Sequence, residues 1–209
     1  FRVSLDSRNW VTALRSSNLL SCGLGAAMSF LAAGCGPKNE YFPLDVGDSW
    51  TFGVRTGYGS FSESIRATRE ISVGGHKGLE LVSRGGTSRL YQDGGDLYLS
   101  EGAVGRFEPP IPLLSTDEAE SRRAWEGVVI LRGAQRRAKG VWSQRFEKSP
   151  LPSFPSSRVL RSTFVFDLGT RHYELNSWFV AGEGLILQEQ RANGELVTRL
   201  ERVGTSPAN

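Results

Sequence analysis

The chain has 209 residues, with 25 basic against 22 acidic side chains, two cysteines, two histidines and 25 glycines. Two histidines are too few for a multi-histidine metal centre, and no hydrolase elbow, zinc-protease helix or phosphate-loop motif occurs, which argues against those enzyme classes. Most of the +3 net charge lies in residues 1–34, where Arg2, Arg8 and Arg15 face only Asp6; from Cys35 onward 22 basic residues meet 21 acidic ones, so the sequence predicts no nucleic-acid partner.

The first element is the uncharged run from Leu19 to Cys35. It has the parts of a secretory signal: Arg8 and Arg15 in front, an apolar core from Leu19 to Leu31, and small side chains at Ala32, Ala33 and Gly34. The run is short for a membrane-crossing helix, which needs about 20 apolar residues. Leu31-Ala32-Ala33-Gly34-Cys35 resembles the lipobox of bacterial lipoproteins. That resemblance implies cleavage between Gly34 and Cys35 and diacylglycerol with fatty acyl chains on Cys35. It also implies a membrane anchor in the cell envelope, at the outer membrane of a Gram-negative cell because Gly36 is not Asp. An uncleaved anchor or an ordinary signal ending near Ala33 are the alternatives. Residues 1–14 are more than a signal normally carries and include no Met, so the expected translation start lies between Val3 and Leu14 at a non-AUG codon, or 1–14 are not translated.

The expected organisation is a signal peptide with a signal helix over 1–34, a lipidated tether over 35–40, one β domain over 41–203 and a disordered tail over 204–209. With Cys22 in the signal and Cys35 acylated, no disulfide is available, and the domain depends on core burial alone.

After the tether, Trp50, Phe52 and Val54 alternate with Thr51, Gly53 and Arg55, the pattern of a half-buried strand. Strands are predicted over 61–73, 79–83, 88–92 and 97–100, joined by short turns rich in glycine at 57–60, 74–78, 85–86 and 93–96. Links this short give antiparallel neighbours. Phe107 to Leu114 carries three prolines and reads as a loop, followed at 115–120 by at most a turn or two of helix. Strand pattern resumes at 125–132 and 140–146; the basic stretch Arg132 to Lys139 reads as a solvated hairpin. A second proline-rich loop spans Pro150 to Pro155. Both loops are expected to be packed connections, with a mobile lid or partner-docking strip as the alternative.

The last third is the clearest β sequence: 158–168, 171–181, 185–190 and 195–203, with an Asn193-Gly194 hairpin signal. Two motifs, Tyr41-Phe42-Pro43-Leu44 with Gly47 and Trp50, and Trp178-Phe179-Val180-Ala181-Gly182-Glu183-Gly184-Leu185, resemble those of bacterial envelope lipoproteins of unassigned function. Phe52, Val180 and Glu183 depart from that group's commoner choices.

The fold class expected is all-β, an antiparallel meander of about ten strands forming a curved sheet, half-barrel or small barrel. Its concave face would take an apolar or lipid ligand, with Trp50, Phe52, Trp178 and Phe179 as candidate binding residues. The competing reading is an envelope protein–protein interaction module; a hydrolase is the remote one. No catalytic residue, metal ligand or cofactor is expected. His76 and His172 read as solvated or locally bonded, and Glu174 and Glu189 as a cross-strand carboxylate pair only if register brings them together. Oligomeric state is not legible.

Overall fold

A computed structural model describes residues 39–102, 104–115, 121–154 and 158–206. The signal region, the cleavage residues Gly34 and Cys35, and positions 116–120 lie outside the described residues. Twelve strands follow one another: β1 (Ser49–Thr56), β2 (Gly59–Val73), β3 (His76–Ser83), β4 (Gly86–Asp93), β5 (Asp96–Gly102), β6 (Gly105–Leu114), β7 (Ser121–Leu131), β8 (Ala134–Lys148), β9 (Arg158–Leu168), β10 (Arg171–Val180), β11 (Gly184–Ala192) and β12 (Glu195–Ser206). Each pairs antiparallel with the next, and β1 pairs with β12, so the meander closes into a barrel. The count is twelve where the sequence predicts about ten, and the curved sheet is a full barrel. β12 runs on to Ser206, past the Val203 at which the sequence reading ends the domain.

Local chemistry explains most of the strands. Asn193 and Gly194 both take positive φ, 51° and 82°, as the favoured two-residue hairpin turn requires. Arg132 and Gly133 do the same at 49° and 82°, and the Arg132 to Lys139 stretch is a hairpin with Arg136 and Arg137 exposed.

β6 is the main correction, because the three-proline stretch is a wall strand. It pairs with β7 only at Arg106, Phe107 and Glu108, then peels away while still pairing with β5 at Ile111, Pro112 and Leu114. The prolines thus fall where one side of the ladder has been released, and their missing N–H groups cost little. Side chains replace the lost partners. Trp125 Nε1 donates to the Pro109 carbonyl at 3.0 Å, Ser115 N donates to Gln144 Oε1 at 2.9 Å, and Gln144 Nε2 donates to the Ser115 carbonyl at 3.2 Å. Gly127 permits the crossing, since a Cβ there would lie 2.4 Å from the Glu108 carbonyl oxygen. Past the peel, β6 also packs across β8 and β9.

The main core lies inside the barrel. Along β1, the buried Trp50, Phe52 and Val54 face inward; along β9, Leu160, Phe164, Phe166 and Leu168 do so. Phe107, Trp125, Phe164 and Phe166 form an edge-to-face and stacked cluster with centroids 5.2–6.3 Å apart, filling the β6–β9 side. A smaller second cluster lies on the outer face: Val159, Trp178, Val180, Ile186 and Leu187, covered by Leu151 and Phe154 of the 149–154 loop. That loop is a packed connection, as the sequence predicts.

Strand alternation puts turns 74–75, 94–95 and 181–183 at one end of the barrel and turns 57–58, 84–85, 132–133, 169–170 and 193–194 at the other. Segment 39–48 crosses the first end. Asn39 Nδ2 donates to the Gly95 carbonyl at 2.8 Å, Gly182 N to the Glu40 carbonyl at 2.8 Å, and Gly47 N to the Ala67 carbonyl at 2.9 Å. Phe42 and Leu44 are buried beneath it in the core, so Asn39 and Glu40 belong to the barrel's closure and not to a free tether.

Candidate ligand-binding site

Eight strands enclose just enough room for side chains or one small ligand, and the interior widens as strands are added. Twelve strands therefore leave space that ordinary wall residues do not fill. On the β6–β9 side the aromatic cluster fills it. On the other side a cavity of about 530 Å³ remains, within the roughly 300–1,000 Å³ of small-molecule sites.

The cavity is floored at the closed end by Phe42, Trp50, Phe179 and Leu185 and walled by Leu81, Leu90, Leu99, Ile111, Leu175 and Leu200. Its rim, at the end with the tight turns, includes Thr56, Phe61, Ser83, Gly85, Gly86 and Thr198, of which Phe61, Gly85 and Gly86 are exposed. The site is thus an apolar pit with a more polar mouth. The floor is held by tight packing. Phe42 meets Trp50 edge-on at 5.4 Å, and Gly184, at φ +83°, leaves no Cβ to strike the Trp50 ring, which would lie 2.7 Å away. On the far side of Trp50, the buried Arg202 holds its guanidinium 5.7 Å from the ring and pairs with Glu183 of the 181–183 turn.

Of the four binding residues expected from sequence, Trp50 and Phe179 line the cavity. Phe52 points inward but is fully buried and does not reach the cavity wall. Trp178 belongs to the outer cluster: Leu175 and Phe179 face in and Trp178 faces out, its Nε1 donating to Glu147 Oε1 at 2.6 Å. Glu174 and Glu189 do not form a carboxylate pair. Glu174 stands opposite Arg191 and bonds Asn176, whereas Glu189 is bound by Arg191 and Arg199. His172 Nδ1 lies 2.8 Å from Asp167, and His76 stacks on Tyr91 at 5.2 Å. Among the described residues no cluster of three or more His, Cys, Asp or Glu is placed to hold a metal.

The charges divide between the two faces. Outside, Arg69, Glu80, Arg89 and Glu101 form a ladder across β2 to β5, with N–O distances of 2.9, 3.3 and 2.9 Å. The Arg69 hydrogen bond, helped by Arg89, holds the Glu80 carboxyl below its ordinary value of 4.5 against the opposing effect of burial. Inside, Glu63 of β2 sits between Phe61 and Ile65 in the inward phase, opposite Phe52, and is 8% exposed. Among the described residues its one protein partner is the Gly85 N–H, donating to Oε1 at 2.8 Å. Sequence reading missed it; the signal was a carboxylate in an otherwise apolar phase of Phe61, Ile65 and Ala67.

A groove on the outer wall is lined by Arg122, Arg145 and Arg161. Glu147 lies within ion-pair distance of both Arg145 and Arg161, and Asn176 accepts from Arg161, so much of this charge is answered within the wall.

No protein-family model matches the chain, and no curated protein matches it. Two solved structures are similar to it. One is a candidate lipoprotein from Parabacteroides distasonis, 10% identical with a TM-score of 0.49, covering 82% of this chain and 100% of its own. The other is a candidate exported protein with a YmcC-like fold from Bacteroides fragilis, 13% identical with a TM-score of 0.44, covering 79% of this chain and 98% of its own.

Proposed function

We propose that the protein is a lipid-anchored protein of the bacterial envelope that binds, without transforming it, a molecule with an apolar tail in its barrel lumen. The observation that carries the reading is the cavity of about 530 Å³ with its apolar floor. Closure favours this role over the interaction module, because a barrel leaves few strand edges for a partner to extend. The proposed anchor, Cys35, stands four residues before Asn39, which is bonded at the closed end. Gly36, in place of the retaining Asp, favours the outer membrane of a double-membraned envelope.

Native mass spectrometry of the purified protein tests the lumen. The expected result is a bound species heavier than the chain by one amphiphile, either co-purified or taken up from added single-chain lipids. A spectrum showing only the ligand-free chain in both cases overturns the reading. The anchor has a separate test: Cys35→Ser should leave an unacylated precursor that moves to the aqueous phase in detergent partitioning, and unchanged partitioning rejects the anchor.

A further inference from the structure

We propose that the molecule held in the lumen carries a protonated amino group at its polar end, and that Glu63 receives it. The inference rests on the lumen-binding reading above and specifies the chemistry of the ligand. A buried carboxylate is costly unless cations or hydrogen-bond donors surround it. Glu63 is more than nine-tenths buried, yet among the described residues one backbone N–H is its only protein partner, at Oε1. A carboxylate has about four lone-pair sites, so most of its accepting capacity faces the cavity it lines.

Among the described residues no Lys, Arg or His lines the cavity. Glu101 also borders the cavity, but its carboxylate belongs to the outer ladder, where Arg89 holds it. The buried Arg202, opposite Phe52, is answered by Glu183, so among the described residues of the lumen Glu63 is the charge left without a counter-charge, and a cation or donor brought by the ligand would supply it. Position supports the same orientation. Glu63 stands one inward step from the exposed rim residue Phe61, and the next inward step, Ile65, stands opposite Trp50 of the apolar floor. A single aliphatic tail would occupy the floor with its amine at the level of Glu63. A fatty acid in the same pose would set two carboxylates against each other with no cation between them.

Three probes of equal chain length, dodecylamine, dodecanol and dodecanoate, titrated below their micelle concentrations into the full chain carrying Cys35→Ser, test the inference. Dodecylamine is expected to bind about tenfold tighter than dodecanol, because its ammonium sets a full positive charge against the carboxylate where the hydroxyl only donates a hydrogen bond, and dodecanoate weakest. Glu63→Gln should remove that tenfold preference for dodecylamine over dodecanol; the probe ranking on the chain with Glu63 intact needs no such variant. If dodecanol or dodecanoate binds as tightly as dodecylamine, the amine inference fails and lumen binding stands. If none of the three binds, lumen binding itself fails.

Discussion

Trp142→Ala is expected to lower the free energy of unfolding by about 3–5 kcal/mol, the range for truncating a fully buried large aromatic. Trp142 is 0% exposed on the inward face of β8. Three interactions end with the indole: its Nε1 donates to Ser162 Oγ at 2.8 Å, its ring lies 5.3 Å from the Arg123 guanidinium, and its bulk fills the space under β9. Relaxation is restricted because β8 is paired with β7 from Ala134 to Gln144 and with β9 from Lys139 to Lys148, so the strand is held on both sides at Trp142. The wall cannot fall in to close the hole, and Ser162, 3% exposed, would lose its donor inside it. Arg123 would also lose a face that helps fix it between Asp96 and Ser115. Denaturant unfolding followed by circular dichroism measures the loss; a change under about 1 kcal/mol would mean that this side of the barrel is not closely packed.

The strands were legible where the physics is local. In β1 and β9 the two-residue alternation follows from one wet and one dry face, and Asn193-Gly194 specifies its own hairpin. Closure was not legible, because the pairing of Ser49–Thr56 with Thr198–Ser206 joins the two ends of the domain and leaves no mark in either strand. β6 was misread for a related reason. Its prolines break a two-sided ladder, but Trp125 and Gln144, from other strands, supply the bonds that the ladder lost. Proline spacing carries no information about those donors.

The site shows the same division. Trp50 was found because its neighbours alternate cleanly. Trp178 was misplaced because β10 is buried on both faces near its end: the register slips between Trp178 and Phe179, and Leu151 and Phe154 cover the outer side. An unbroken apolar run then looks like lumen when half of it faces a loop. Glu63 was passed over because a single acidic residue in a strand normally marks the wet face; only the phase of Phe61, Ile65 and Ala67 places it inside.

The empty side of the barrel should answer substitution in the opposite way from the filled side. Leu99 on β5 and Leu175 on β10 both line the cavity, and five strand positions separate β5 from β10 around the twelve-strand wall, so they face across the lumen. Adding bulk to a close-packed core costs about 1–3 kcal/mol through displaced rotamers and backbone. Here the added indoles have a cavity to enter, so Leu99→Trp with Leu175→Trp is expected to leave unfolding stability within about 1 kcal/mol. Ligand binding should suffer instead. Each methylene kept out of an apolar site forfeits about 0.8 kcal/mol. Excluding about four of them weakens binding by roughly two-hundredfold. Denaturant unfolding and titration with dodecanol, which makes no ionic contact, read the two effects separately. Stability lost to the extent seen for Trp142→Ala would mean that the lumen is packed and not open, whereas unchanged dodecanol binding would place the tail somewhere other than between these two walls.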